Sequence, residues 1–102
     1  MKIEWTEPAL SDLENIRDFI RRDSEYYAIR CVERIIDAVE SLEKLPEIGR
    51  SVPEAEEKNV RELLLYNYRI IYRAETDRIL VLTIIHGSRD LSRKGHKPWD
   101  TV

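Results

Sequence analysis

The apolar residues of this chain change their spacing once, about halfway along, and this change restricts the possible folds more than any other feature. Between residues 9 and 42 they recur every three or four residues, as on one face of a helix. Between residues 60 and 85 they form three short runs rich in Leu, Ile, Val and Tyr, which is typical of strands. The segment 46–53, with proline at both ends, separates the two regions and is interpreted as a loop. The pattern predicts an α+β fold.

The first half of the chain predicts a strand and two helices. Residues 2–6 alternate between polar and apolar, as in a short half-buried strand. Thr6 and Ser24 are the predicted N-caps of the two helices, which end near Arg22 and before Pro46. The short turn between the helices predicts an antiparallel helical hairpin.

The second half predicts a three-stranded antiparallel meander over residues 60–65, 68–74 and 78–85. Turns of two and three residues connect these strands. Leu65 is then expected to face Tyr68 across the first hairpin, and Ala74 to face Arg78 across the second.

This register divides the side chains of the meander between two faces. One face is apolar nearly throughout and is expected to pack under the helices: Leu63, Leu65, Tyr68, Ile70, Tyr72, Leu80, Leu82 and Ile84. The other face is mixed and is expected to be open to a partner: Glu62, Leu64, Arg69, Ile71, Arg73, Val81 and Thr83. A slip of one residue would exchange the two faces.

Length and composition indicate one domain, residues 1–102, in which 92–102 form a C-terminal tail. The net charge of -3 argues against electrostatic binding of nucleic acid over the whole surface. An anionic partner would therefore have to bind a local basic patch. No stretch approaches the length of a membrane span, and the N-terminus lacks the apolar region of a secretory signal. The only cysteine, Cys31, cannot form an internal disulfide and is interpreted as a core residue. We therefore expect a cytoplasmic location.

The strongest candidates for chemistry lie on the last strands. Arg69 is expected in mid-sheet on the open face, where its planar fork could hold a phosphate or carboxylate; the alternative is a solvated arginine on a strand face. His86 ends the last strand, and Gly87 permits a bend that can bring Arg89 over the same edge. A histidine acting as general acid or base beside an arginine would suit RNA cleavage. The alternative is a histidine that is only hydrogen-bonded at a strand end.

No metal or cofactor is expected. His86 and His96 are separated by ten positions in a loop-like segment, with no paired cysteine. The phosphate-binding glycine motifs and the nucleophile elbow are also missing from the sequence. In the tail, Trp99 is expected either to pack on the chain's own sheet or to serve as a contact arm for a macromolecular partner.

Five segments, in their order and spacing, resemble the RelE/ParE superfamily of toxins from type II toxin-antitoxin systems. They are WTEPALSDL at 5–13, LPEIGR at 45–50, VREL at 60–63, NYRIIY at 67–72 and IHGSRD at 85–90. The resemblance implies a two-layer fold with an N-terminal strand, a helical hairpin and a three-stranded meander. It also implies a cognate antitoxin, ParD-like or RelB-like, encoded next to the toxin. Its C-terminal segment would fold onto the toxin as a helix or a strand.

The resemblance implies two possible activities. RelE-like members cut messenger RNA on the ribosome, and Arg69 and Arg89 match their two arginines. However, the strand at 60–65 has no lysine and no tyrosine follows Arg89, so the nuclease set is incomplete. ParE-like members inhibit DNA gyrase by protein contact, and the ending His86–Asp90 and the acidity of the chain resemble them more closely.

We therefore predict a ParE-like gyrase inhibitor neutralised by its antitoxin. The alternatives are a ribosome-dependent endoribonuclease, with Arg69, His86 and Arg89 as catalytic residues, and an inactive homologue that only binds antitoxin. DNA would be contacted only indirectly, through the antitoxin, and no membrane partner is expected. The predicted contact residues for antitoxin or target are Arg61, Arg69, Ile71, Arg73, Val81, Arg89 and Trp99.

Overall fold

The computed structural model describes residues 1–92 and 97–100. In chain order the elements are β1 (Lys2–Trp5), α1 (Glu7–Arg21), α2 (Glu25–Glu40), β2 (Arg50–Ser51), β3 (Val60–Leu65), β4 (Tyr68–Ala74) and β5 (Arg78–His86). The strands form one five-stranded sheet in the order β1-β5-β4-β3-β2. β1 runs parallel to β5 and the other pairs are antiparallel, so the sheet is mixed. The predicted α+β fold is confirmed, and β2 is an addition within the predicted loop.

Both predicted helix N-caps are confirmed. The Thr6 hydroxyl accepts a hydrogen bond from the Ala9 amide at 3.2 Å, and the Ser24 hydroxyl accepts one from the Tyr27 amide at 3.2 Å. The two helices cover one face of the sheet. Their core cluster with the sheet consists of Ala9, Ile16, Cys31, Ile35, Val39, Ile70, Val81 and Ile84.

The register of the first hairpin is confirmed and that of the second is wrong by one residue. Leu65 faces Tyr68 as predicted, but Ala74 faces Ile79 instead of Arg78. A shift of one residue exchanges the faces of a strand. Val81 consequently packs under the helices, and Leu80 and Leu82 belong to the cluster on the other face. Alternation could not decide this register, because the strand is apolar on both faces.

A β-bulge in β5 explains why the face assignment changes again toward the end of the strand. Ile71 faces Thr83 and Tyr72 faces Val81, which leaves Leu82 as the extra residue. Beyond this point the faces return to those predicted, so Ile84 packs under the helices as expected.

The chain around the start of α1 holds this bulge in place. The Thr6 hydroxyl lies 2.9 Å from the carbonyl oxygen of Val81 and 3.0 Å from that of Leu82. Asp12 accepts a hydrogen bond from the Ile84 amide at 3.0 Å. β1 pairs with β5 only as far as Val81, so these side chains bond the backbone of β5 where its strand neighbour has ended.

The second face of the sheet, predicted to be open, is covered. The segments that follow β2 and β5 fold over it and form a second core cluster: Val52, Val60, Ile71, Leu80, Leu82, Ile85, Leu91 and Trp99. Ile71 is fully buried on this face and Val81 is fully buried under the helices, so the predicted exposure of both is wrong. Trp99 packs on the chain's own sheet. Among residues 1–92 and 97–100, no helix is both long and apolar enough to cross a membrane.

Candidate functional site

Arg69 lies on β4, the middle strand of the sheet, and its side chain is bound to the rest of the chain. Its Nε donates to Glu62 Oε1 at 2.6 Å. Its Nη2 and Nη1 donate to the two carboxylate oxygens of Glu54 at 2.8 and 2.9 Å, and Nη1 also donates to the Arg89 carbonyl at 2.9 Å. At least four of the five guanidinium N–H donors are thus engaged, and only 4% of the residue is exposed. The predicted open anion site at Arg69 is wrong.

A second arginine extends this arrangement. Glu62 is buried, and its other carboxylate oxygen accepts a hydrogen bond from Arg50 Nε at 2.7 Å. We call Arg50, Glu54, Glu62 and Arg69 the Arg69 network. Its two positive and two negative side chains balance. Among the described residues, no buried polar side-chain atom lacks a hydrogen-bond partner.

The Arg69 network shifts the ionisation of its own members. The hydrogen bonds from Arg69 lower the pKa of Glu54 from 4.5 to about 2, against the opposing effect of burial. In return, Glu54 first and Glu62 second raise the pKa of Arg69. Glu54 and Arg69 are therefore both charged at neutral pH.

His86 lies on the opposite face of the sheet from Arg69. It faces Tyr68 across the β4–β5 pair, with the two ring centroids 6.5 Å apart. Tyr68 packs against the cluster under the helices, whereas Arg69, the next residue of β4, points to the other face. His86 Nδ1 lies 2.7 Å from the Ser88 hydroxyl oxygen. The predicted grouping of His86 with Arg69 is wrong.

Arg89 is an exposed cation of this region. Its amide donates to the His86 carbonyl at 3.0 Å and its carbonyl accepts from Arg69, so its backbone is held while its side chain is exposed. No described residue forms an ion pair or hydrogen bond with its guanidinium. A groove of about 460 Å³ lies here, lined by Arg50, Pro53, Glu54, Arg69, Gly87, Ser88, Arg89, Asp90 and Ser92.

The other predicted contact arginines are bound to their own chain. Arg61 Nη1 donates to the carbonyls of Glu47 and Gly49 at 3.3 and 2.8 Å. Arg73 donates to the Trp99 carbonyl, which attaches the last described segment to β4. Of the seven predicted contact residues, Arg89 alone is exposed. A contact role for Arg61, Arg73 and Arg89 stays a prediction.

The residues described contain no group of His, Cys, Asp or Glu that could hold a metal ion. His96, one of the two histidines considered from the sequence as metal ligands, lies outside the described residues.

Sequence reasoning missed the two glutamates that bind Arg69. The contact with Glu62 could have been predicted. In the correctly predicted first hairpin, Leu64 faces Arg69, and Glu62 lies two residues before Leu64 on the same face of the sheet as Arg69. The contact with Glu54 could not have been predicted, because the position of Glu54 depends on the path of an irregular loop.

The fold and the site together define a small α+β protein with a helical hairpin on one side of a mixed sheet and a neutralised arginine on the other. A match to the ParE toxin of the type II toxin-antitoxin system parDE extends over residues 3–91, so the chain belongs to this family. It is 35% identical over 103 residues to the proposed toxin Y4kP of Sinorhizobium fredii, covering 99% of this chain and 95% of that protein. It is 34% identical over 89 residues to toxin RelE2 of Caulobacter vibrioides, covering 86% and 97%.

Two solved structures of toxin-antitoxin systems are similar. One, of the chromosomal ParDE system from P. aeruginosa, matches with a TM-score of 0.71 and 27% identity over 84% of this chain and 95% of that chain. The other, of the RelBE2 toxin-antitoxin complex from Mycobacterium tuberculosis, matches with a TM-score of 0.62 over 83% and 95%. At 17% identity the second supports the fold alone.

Proposed function

We propose that this toxin inhibits DNA gyrase by protein contact, does not cleave RNA, and is neutralised by a cognate antitoxin. The observation that carries the proposal is the state of Arg69. In the nuclease mechanism, an arginine at this position must bind the phosphate on which charge develops. Here the Arg69 guanidinium already donates two hydrogen bonds to the Glu54 carboxylate.

The energetics of the Arg69 network support this reading. If Arg69 turned to a phosphate, the carboxylates of Glu54 and Glu62 would lose their shared partner, and Glu62 is fully buried. Leaving one half of a buried ion pair uncompensated costs roughly 3–5 kcal/mol. Glu62 would still have Arg50 as a partner, so an RNA substrate would have to supply part of this free energy before any gain in catalysis.

The position of His86 supports the same conclusion. A general acid or base must come within hydrogen-bond reach of the reacting atoms. His86 shares a face with Tyr68 and is separated by the sheet from Arg69. The three residues of the alternative nuclease site therefore do not line one surface.

Family membership supports the gyrase target and the antitoxin partner. ParE-like toxins inhibit gyrase by protein contact, as the sequence resemblance implied. The similar structures belong to a ParDE system and a RelBE2 complex, so relatives of this fold occur with antitoxins.

The discriminating experiment places the purified toxin in two parallel reactions, gyrase supercoiling and ribosome-dependent messenger cleavage. We expect inhibition of supercoiling and no cleavage. Arg89→Ala and His86→Ala are the informative variants, because both side chains are exposed and neither belongs to the core. Arg69→Ala is uninformative, since it would leave Glu54 without its ion-pair partner and Glu62 with Arg50 alone.

Two results would reverse the proposal. Messenger cleavage that Arg89→Ala or His86→Ala abolishes would establish the nuclease alternative. A toxin that affects neither reaction and does not slow growth, yet binds the antitoxin, would be the inactive homologue.

A further inference from the structure

A small pocket beside β5 is apolar except for one cation. It has a volume of about 240 Å³ and is lined by Arg89 and by uncharged residues: Pro8, Leu82, Thr83, Ile85, Leu91 and Pro98. Leu82, Ile85 and Leu91 are members of the second core cluster, so the apolar lining is fixed in place. The Thr83 hydroxyl uses its single donor on Asp12. The pocket is therefore suited to an apolar group.

Arg89 lies where this pocket meets the groove of about 460 Å³ described above, because its side chain lines both. The side chain is exposed, and within residues 1–92 and 97–100 its guanidinium has no ion-pair partner. A planar guanidinium can bind both oxygens of a carboxylate at once. An unpaired arginine beside an apolar pocket thus complements a carboxylate that has an apolar side chain next to it.

The backbone of Arg89 is held on both sides. Its amide donates to the His86 carbonyl at 3.0 Å, and its carbonyl accepts from Arg69 Nη1 at 2.9 Å. Two residues further on, the Leu91 amide donates to Glu54 at 3.0 Å. The Arg69 network therefore anchors residues 89–91. A partner that binds Arg89 loses little affinity to the ordering of this segment.

The size of the pocket favours a side chain of a protein over a separate small molecule. Pockets for drug-sized ligands have volumes of about 300–1,000 Å³, and this one is smaller.

The charges around the pocket argue against a nucleic acid, which needs several cations along its phosphates. In the adjoining groove, Arg50 is ion-paired with Glu62. Arg69 is likewise ion-paired with Glu54. A single carboxylate at Arg89 needs no further cation.

We propose that Arg89 and this pocket form a contact site for gyrase, in which Arg89 binds a carboxylate of gyrase and the pocket takes an apolar side chain close to that carboxylate. The inference rests on the proposed function and adds its place of contact. Arginines and apolar anchors in well-packed pockets contribute most of the binding free energy in many interfaces. Arg69 is then a positioning residue, because it holds the backbone of Arg89 and does not touch the partner.

Charge reversal at Arg89 provides the direct test. Full-length toxin variants are compared for their affinity for the gyrase holoenzyme and for inhibition of supercoiling. We expect Arg89→Glu to weaken both at least tenfold. Arg89→Lys should weaken them less, because lysine keeps the charge but loses the planar fork. Arg34→Glu makes the same change of charge at an exposed position of α2 and is the control, which should behave as the wild type.

A matched pair of variants at Pro8 adds a second test. Pro8 is exposed in the first turn of α1, where an acidic residue is favourable. Pro8→Glu would place a carboxylate beside the pocket to compete for Arg89, and we expect weaker gyrase binding. Pro8→Gln adds a side chain of the same size without the charge and should bind gyrase more tightly than Pro8→Glu. Equal affinities of the two would contradict recognition of a carboxylate. If either fails to fold, the Arg89 variants decide.

The possible failures are distinguishable. A wild-type toxin that does not inhibit gyrase would refute the proposed function. If the wild type inhibits gyrase and Arg89→Glu inhibits it equally well, this inference is overturned and the proposed function stands. Equal losses in Arg89→Glu and Arg34→Glu would show a dependence on overall charge and would also overturn it. Binding of a single-stranded RNA oligonucleotide that Arg89→Glu abolishes would assign the site to nucleic acid instead.

Discussion

Glu54 and Arg69 form a two-pronged ion pair that joins a loop to the middle strand of the sheet, with nitrogen-oxygen distances of 2.8 and 2.9 Å. The same Glu54 carboxylate accepts a hydrogen bond from the Leu91 amide at 3.0 Å, and Arg69 donates to the Arg89 carbonyl. Arg69 thus attaches both the loop before β3 and the segment after β5 to the sheet. The side chain that looked like a site for a substrate is a structural link.

Replacing Glu54 with glutamine should destabilise the fold while preserving the shape of the side chain. The amide has no charge and only one oxygen to accept hydrogen bonds. If that oxygen keeps the bonds from Arg69 Nη1 and the Leu91 amide, which now share one carboxylate oxygen, the bond from Arg69 Nη2 is lost. We expect the free energy of unfolding to fall by about 2–3 kcal/mol, measured by urea denaturation. Glu56→Gln, at an exposed position of the same loop, should change it by less than about 0.5 kcal/mol. Equal effects of the two changes would contradict the structural role.

Acid should weaken the protein through the same carboxylate. The pKa of Glu54 is lowered from 4.5 to about 2 in the folded state, so the unfolded chain takes up the proton at the higher pH. The stabilisation is fully present above about pH 4.5 and is lost as the pH falls toward 2, by up to about 3 kcal/mol. Denaturation midpoints measured between pH 2 and 7 should show this loss in the wild type. In Glu54→Gln the denaturation midpoint should fall less steeply as the pH decreases. An equally steep fall in both proteins would show that Glu54 is not the carboxylate responsible.

Asp12→Ala should loosen the β-bulge of β5. Asp12 accepts hydrogen bonds from the Ile84 amide and the Thr83 hydroxyl, and alanine would leave both donors without this acceptor. We expect a loss of about 1–3 kcal/mol in unfolding free energy and faster exchange of the Ile84 amide. Glu14→Ala, on the exposed side of α1, is the control and should leave that amide unchanged.

Gly49→Ala should be more damaging than Gly87→Ala. A Cβ atom at Gly49 would lie 2.5 Å from the Tyr72 hydroxyl oxygen and 2.7 Å from the Glu62 carbonyl oxygen, both closer than atoms can approach. The same atom at Gly87 would meet the Asn67 carbonyl oxygen at 3.2 Å. We expect Gly49→Ala to cost about 1–3 kcal/mol in thermal or urea unfolding and Gly87→Ala clearly less. The reverse order would show that the close packing of Gly49 on β3 and β4 is unimportant.

The fold was predictable where its determinants are close in sequence. Thr6 and Ser24 cap their helices as expected, because a cap hydroxyl bonds an amide three residues away. The first hairpin also has the predicted register, since its two-residue turn places Leu65 opposite Tyr68. The five family segments likewise identified the superfamily.

The prediction failed where a pattern allowed two solutions. Residues 79–85 are apolar except for Thr83, so either face of β5 could have packed under the helices. The four positions between Ala74 and Ile79, together with the bulge at Leu82, selected the observed register. Burial of both faces removes the contrast on which alternation depends.

The sequence by itself determined the helices, four of the five strands, their order along the chain and the superfamily, because periodicity, capping and turn chemistry act between near neighbours. Only the tertiary structure decided which side of β5 faces the helices and whether Arg69 is available. Glu54 reaches Arg69 through the path of an irregular loop, and the segment after β5 then closes over both. Such contacts join residues that are distant along the chain, so no local pattern contains them.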